Sequence, residues 1–296
     1  MSIVLIVNPV ASRVNEDEVR AVEGALSRAG RVETHVTERR AHATELAAEA
    51  AAADALVVFG GDGVVNEALN GLPADVLFGA VPGGGTSVFA RALGLPRDPV
   101  EAAEQIAGAI SAGRARRITL GRVDGRRFSF AAGLGLDAAM VRRVDARGRA
   151  RDGRRPGDLA FLYELTRLLG SERFRIAPAL EIEGLGRAAA AFVANCDPYT
   201  YAGRVPLRVA PRARFELGLD VVAPVELKAT AVPRFAAYAV RGKGQTSAKD
   251  ILEAHDLDRI EIACDRPLPL QVDGEDLGDV EHVVFEAERD AVGVLC

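Results

Sequence analysis

Two glycine clusters carry the first chemical signal in this chain. In VVFGGDGVVNEALNGL, residues 57–72, an apolar run stops at Gly60-Gly61-Asp62-Gly63 and the pattern then turns amphipathic. VPGGGTSVFARALGLP, residues 81–96, repeats the arrangement, with Gly83-Gly84-Gly85 ahead of a helix expected to begin near Thr86. Glycine reaches positive φ at little cost and has no Cβ to obstruct an approaching group. A helix starting just beyond offers N–H groups without intrahelical partners and the positive end of its dipole. Strand, glycines and helix start make a sensible phosphate cradle. The first cluster taken alone reads equally well as a tight turn. It is not the G-x-G-x-x-G fingerprint, and the chain has no Gly-Lys-Ser/Thr, the nearest being Gly242-Lys243-Gly244. Asp62 is odd beside an anion, and suits contact with Mg²⁺ or with a ribose. In a parallel sheet both clusters lie at carboxyl ends of strands, where ligands of such sheets bind, which favours the cradle.

Asp273-Gly274-Glu275 holds two carboxylates two positions apart. In an extended strand Asp273 and Glu275 would share a face; in a turn they need not. Asp-Gly is a strong hairpin signal, and on the residues alone a turn without chemistry is the favoured reading.

The elements that must position these residues change character along the chain. Ile3–Val7, Ala55–Phe59 and Val76–Val81 are continuous apolar runs, as in strands buried on both faces. Val19, Val22, Leu26 and Ala29 fall on one helical stripe that Gly30 ends, RVETHVT alternates like a strand, and ATELAAEAAAA is helical by propensity. A further helix is expected from Pro99 to Ala112, with Asp98 as N-cap, Glu101 completing a capping box and Gly113 at its end. Residues 1–116 therefore read as an α/β domain with a mostly parallel sheet. Beyond them Asp124-Gly125 joins two strand-like runs, and FRIAPALEIEG, AAAAFVANC, FELGLDVVA, DRIEIACD and LPLQVDGEDLG follow as strands. Helices are expected at Leu159–Leu169 and, kinked by Pro233, at Leu227–Val240. Residues 117–283 read as a β-rich, sandwich-like second domain, and 284–296 belong to either.

Composition narrows the function classes. A net charge of −5 without a strongly basic domain argues against a general nucleic-acid binder. Cys196, Cys264 and Cys296 are odd in number and far apart, which suits a reducing cytoplasm and no disulfide framework. MSIVLIVNPV reads as a first strand and not as a signal peptide, and no run reaches 18 uninterrupted apolar residues, so any membrane contact is expected to be peripheral. RRVDARGRARDGRR, residues 142–155, holds seven arginines and two aspartates; it reads as a solvated loop or as a contact with an anionic bilayer. The apolar helix that follows reads as core or lipid groove.

Together, GGDGVVNEALNGL and PGGGTSVFARALGLP resemble the diacylglycerol kinase catalytic domain family, which includes sphingosine kinases and bacterial lipid kinases. FSFAAGLGLDAAMV, ELGLDVV and LQVDGEDLG match later family segments in order, so the likeness covers nearly the whole chain. NAD kinases carry a similar first loop. The resemblance implies ATP-dependent phosphorylation of a membrane lipid hydroxyl, with ATP and Mg²⁺ as cofactors, and it admits a homodimer. It implies that ATP lies on Gly60, Gly61, Asp62, Gly63, Val64, Asn66 and Glu67, on Gly84, Gly85, Thr86 and Ser87, and on Thr37 after the second strand. It implies catalysis at Asp273-Gly274-Glu275, with Glu275 favoured as proton acceptor and Asp273 in support, or the reverse. It also implies a structural magnesium site near RARFELGLD, here drawing on Arg214, Glu216 and Gly218. Val64, Gly85 and Ser87 depart from the family pattern, where threonine, threonine or serine, and asparagine are usual. Each departure removes or shortens a donor near the phosphates. Diacylglycerol is the expected acceptor; the rivals are a soluble substrate such as NAD, and a weakly active or non-catalytic nucleotide or lipid binder.

Overall fold

The computed structural model describes residues 1–146 and 175–296. The expected helix Leu159–Leu169 and most of the arginine-rich stretch lie outside the described residues. The chain forms two compact units, Met1–Leu120 with Arg289–Cys296, and Gly121–Glu288.

The first unit is built on β1 (Ser2–Val7), β2 (Arg31–Val36), β3 (Ala55–Gly60) and β4 (Leu77–Pro82), parallel in the order β4-β3-β1-β2. Every residue of Ala55–Gly60 is buried, as expected of a strand covered on both faces. Helices Glu16–Leu26 and Pro99–Ser111 pack together, as do His42–Glu49 and Asp62–Gly71. Asn15 caps the first of these helices by accepting from Glu18 N. Asp98 caps Pro99–Ser111 by accepting from Val100 N and Glu101 N. Phe59, Phe78 and Phe89 are fully buried, and the rings of Phe78 and Phe89 meet edge to face at 6.1 Å. Each such ring contributes about 1.5–3 kcal/mol through burial. The chain leaves β1 toward β2 on one side and returns to β3 on the other. The order of the sheet therefore reverses between β1 and β3, and the crevice beyond the carboxyl ends of such strands is where ligands of open α/β sheets bind.

The second unit is β-rich. Its strands are β5 (Arg116–Val123, shared with the first unit), β6 (Arg126–Phe128), β7 (Ala131–Leu134), β8 (Arg175–Ile176), β9 (Leu180–Ile182), β10 (Gly186–Ala188), β11 (Ala191–Ala194), β12 (Thr200–Ala202), β13 (Val205–Leu207), β14 (Leu219–Pro224), β15 (Leu227–Lys228), β16 (Ile251–Leu257), β17 (Arg259–Val272) and β18 (Glu275–Val294). The main antiparallel order is β16-β14-β11-β7-β17-β18. Three features differ from the sequence expectation. DRIEIACD and LPLQVDG form one strand of 14 residues, whose register shifts between Ala263 and Leu268 and again between Pro269 and Gln271. Proline donates no ladder hydrogen bond, and here Pro267 and Pro269 sit at irregularities that absorb it. The last strand runs 20 residues and ends beside β4, Val294 pairing with Phe78 in parallel. The helix expected at Leu227–Val240 spans Val232–Arg241, because Leu227–Lys228 pairs with Ile176 and Arg175 instead. Pro233 falls in its first turn, where a missing N–H costs nothing, so it starts this helix instead of kinking it.

Candidate active site

In the first unit the two glycine loops lie against each other. Gly83 N donates to Gly60 O at 2.7 Å. A Cβ added at Gly83 would meet Gly60 Cα at 2.8 Å, and one at Gly84 would meet Gly61 Cα at 2.9 Å. None of Gly60, Gly61, Gly63, Gly83, Gly84 and Gly85 has positive φ. The conformational freedom expected of these glycines is therefore not what the loops use. Gly83 and Gly84 are small so that two main chains can touch, and Gly60 is small because the Val64 side chain fills the space beside it. Gly63 and Gly85 differ: a Cβ at either would meet nothing within 4 Å. Packing does not require glycine at these two positions, and both leave main chain accessible.

Asp62 ties the loops together, since its Oδ1 accepts from Phe89 N at 3.1 Å. This gives the carboxylate a structural task not anticipated from the sequence. The helix Asp62–Gly71 starts after Gly61 without a side-chain cap, so no capping side chain takes the N–H groups of its first turn. Val64 is buried against Gly60, whose added Cβ would lie 2.3 Å from Val64 Cγ1, and Asn66 is buried as well. Glu67 O accepts from Thr44 Oγ1 at 2.8 Å. The second helix begins at Val88, later than the expected Thr86. Ser87 takes a left-handed φ of 47°, and its hydroxyl stands 3.3 Å from both Gly84 N and Gly84 O. The Ser87 side chain thus closes its own loop, while Gly85 and Thr86 are exposed. Thr37 follows β2 directly, and its N–H donates to Val7 O at 2.9 Å. A third loop, after β1, was not singled out from the sequence. Asn8 N donates to Phe59 O at 3.0 Å, and Arg13 N donates to Gly83 O at 2.9 Å. Its only signal was position, directly after the first strand.

In the second unit, Asp273 and Gly274 form the two-residue turn between β17 and β18, with φ of 48° and 80° and Val272 paired to Glu275. Asp273 is buried. Its Oδ2 accepts from Ser129 N at 2.7 Å and Ser129 Oγ at 2.9 Å; its Oδ1 accepts from Phe130 N at 3.0 Å and Ala131 N at 3.1 Å. Glu275 is partly exposed and forms an ion pair with Arg126. The turn is also gripped from behind. Gln271 Oε1 accepts from Gly274 N at 2.9 Å, while Gln271 Nε2 donates to Asp137 Oδ2 at 2.6 Å. Tyr199 OH donates to the same Asp137 oxygen at 2.6 Å. Removal of solvent pushes the Asp137 carboxyl above its ordinary range, against the lowering effect of these two donors. Burial raises the Tyr199 hydroxyl well above its ordinary value too, so it stays protonated as a donor. Ser129, Asp137, Tyr199, Gln271 and Arg126 were not assigned roles from the sequence. A glutamine inside the apolar run LPLQV was the one visible hint.

The proposed metal segment is different. Arg214 O accepts from Leu217 N at 3.0 Å, and the Arg214 guanidinium donates to Pro211 O and Ala213 O at 3.0 and 2.7 Å. Gly218 N donates to Asp256 Oδ1 at 2.7 Å. Glu216 is exposed and is the one carboxylate among the three expected ligands. Among the described residues no three histidine, cysteine or acidic side chains gather in a metal-binding group. Magnesium wants several hard oxygens in near-octahedral order. Glu216 supplies one carboxylate, Arg214 and Gly218 have only main-chain carbonyl oxygens to add, and these three residues alone do not complete that set.

Comparison with known proteins follows this geometry. Residues 2–123 match the diacylglycerol kinase catalytic domain. The chain is 38% identical over 138 residues to a diacylglycerol kinase of Bacillus subtilis (strain 168), covering 44% of this chain and 45% of that one. The match thus spans less than half the length of that relative. In fold, it resembles the crystal structure of a diacylglycerol kinase from Bacillus anthracis str. Sterne, with a TM-score of 0.73, 20% identity, and coverage of 99% of this chain and 96% of that one. An NAD kinase from Archaeoglobus fulgidus, solved in complex with ATP, resembles it with a TM-score of 0.52 and 13% identity over 100% of this chain and 94% of that one. The matched residues 2–123 hold both glycine loops, and over them the chain is similar to diacylglycerol kinase catalytic domains.

Proposed function

We propose that this protein is an ATP-dependent lipid kinase that transfers the γ-phosphoryl group to a lipid hydroxyl, with diacylglycerol as acceptor and phosphatidic acid as product. The observation that carries this reading is the pair of glycine loops at the switch point of a parallel sheet, with Gly63 and Gly85 facing open space. Phosphoryl transfer depends on positioning and charge neutralisation more than on covalent help. Main-chain N–H groups of the two loops supply fixed donors for the phosphate tail of ATP, which arrives as its magnesium complex. Thr37 is the candidate contact to the rest of the nucleotide.

The attacking hydroxyl must lose its proton, and a base needs an accessible lone pair. Asp273 is buried with both oxygens accepting, whereas Glu275 is partly exposed. We therefore assign Glu275 as proton acceptor and Asp273 as the anchor of its turn. Arg126 orients the Glu275 carboxylate. Among the described residues no helix is long and apolar enough to cross a membrane, so the acceptor is reached from a bilayer surface by peripheral contact.

Radiolabelled-ATP transfer into mixed micelles of diacylglycerol tests this. Labelled phosphatidic acid from the wild type, and loss of label with Glu275→Gln, is the expected result. Labelling of NAD without lipid sinks the lipid assignment. ATP binding without turnover over a broad panel of lipid alcohols sinks the enzymatic one.

A further inference from the structure

The helix Val232–Arg241 is amphipathic in an unusual sense. None of its residues is fully buried. Its inner side sends Phe235 against the small cluster of Ala189, Ala190 and Leu227. Its outer side carries Pro233, Ala236 and Val240 at i, i+3 and i+7, all exposed. An ordinary surface helix presents charged and polar residues on that face.

The neighbouring hairpin β12–β13 continues the pattern. Arg208 N donates to Ala239 O at 2.6 Å, and Gln245 Nε2 donates to Arg208 O at 2.7 Å, so helix, hairpin and the turn after the helix are one packed piece. At the hairpin tip Val205 is 45% exposed, and on the helix Val240 is 50% exposed. Arg204, Arg241 and Lys243 are exposed and make no ion pair among the described residues. Residues 198–214 contain four basic and no acidic side chains, and residues 227–249 five basic and none acidic, in a chain of net charge −5. Arg208, Arg212, Lys228 and Arg234 pair with Asp197, Glu253, Glu226 and Asp250 from outside those spans, whereas Arg204, Arg241 and Lys243 form no such pair among the described residues. Uncompensated positive charge next to exposed aliphatic side chains is the combination that seats a peripheral protein in an anionic bilayer.

We infer that the outer face of helix Val232–Arg241, with the tip of hairpin β12–β13, docks this protein on an anionic lipid bilayer. Val205 and Val240 enter the headgroup region, and Arg204, Arg241 and Lys243 contact lipid phosphates. The inference rests on the lipid-kinase reading for its purpose, though not for its physics.

Co-sedimentation of the full chain with vesicles tests it. Phosphatidylcholine vesicles containing phosphatidylglycerol are expected to retain the wild type far more than phosphatidylcholine alone, with retention falling as salt rises. The triple variant Arg204→Gln, Arg241→Gln, Lys243→Gln is expected to bind about 100-fold more weakly, at about one factor of five per basic residue. Val240→Asp gives an independent, smaller loss. Both variants are expected to keep wild-type activity on a dispersed short-chain diacylglycerol. Equal retention of the triple variant and the wild type, or equal retention by neutral and anionic vesicles, overturns the surface. So does retention by a duplex oligonucleotide in place of vesicles. Charge-dependent vesicle binding by a protein that phosphorylates no lipid alcohol upholds the surface and sinks the kinase assignment.

Discussion

The second unit contains the same turn twice. Asp124-Gly125 joins β5 to β6 with φ of 48° and 78°; Asp273-Gly274 joins β17 to β18 with φ of 48° and 80°. Both are two-residue loops with left-handed central residues, the geometry that matches strand twist. Their tertiary settings differ. Asp124 is exposed, whereas Asp273 is buried and accepts four hydrogen bonds. The residue after each turn joins the two: Arg126 pairs with Glu275. The dipeptide makes a turn in either place. Only the contacts of its carboxylate separate a surface connection from an anchored support for the side chain proposed as base.

The largest expected effect in this comparison falls just past the anchored turn. Glu275→Gln keeps the shape and removes the proposed base, so transfer to lipid is expected to fall about 10²–10⁴-fold, with unchanged circular dichroism. The same exchange, aspartate to asparagine, then separates the two turns. Asparagine tolerates the left-handed region, so neither turn is harmed locally. Asp273→Asn directs an amide NH₂ at backbone donors and is expected to cost about 3 kcal/mol in denaturant unfolding. Asp124→Asn is expected to change stability by less than about 0.5 kcal/mol. Equal losses at both sites would erase the distinction drawn between the turns. Arg126→Gln sharpens the link between them: kcat is expected to drop about tenfold with the KM for ATP unchanged, since a loosened base costs the chemical step more than nucleotide binding.

A further, modest effect concerns the strand beyond the anchored turn. Arg142 donates to both oxygens of Asp276 at 2.7 and 2.9 Å, and this hydrogen bonding holds the Asp276 carboxyl below its ordinary value. A carboxyl depressed in the folded state adds stability above its unfolded pKa and loses it as pH falls through the folded one. Arg142→Ala is therefore expected to lose roughly 1 kcal/mol or less at pH 7, with the difference from wild type fading below about pH 4. A loss that is constant across that range would mean the arginine acts by packing.

Much of the frame was legible in the chain. Continuous apolar runs announced β1 and β3, Asp98 and Pro99 announced a helix start, and Asp124-Gly125 announced a hairpin, because each depends on residues a few positions apart. Legibility failed where distant residues meet. Pro233 looked like a kink because nothing local says that Leu227–Lys228 pairs with Arg175–Ile176. Arg142 looked like part of a solvated basic run, yet Asp276 holds it from 134 positions away.

By itself, the sequence determined where glycines, caps and Asp-Gly turns interrupt strands and helices, since those preferences are steric and act over a few residues. Tertiary structure alone decided that Gly83 and Gly84 are small so as to lie on Gly60 and Gly61, that Asp273 is walled in by Ser129, Phe130 and Ala131, and that Glu275 is the more accessible carboxylate. Burial and hydrogen bonding between segments more than a hundred residues apart set the role of a carboxylate, and no local pattern encodes them.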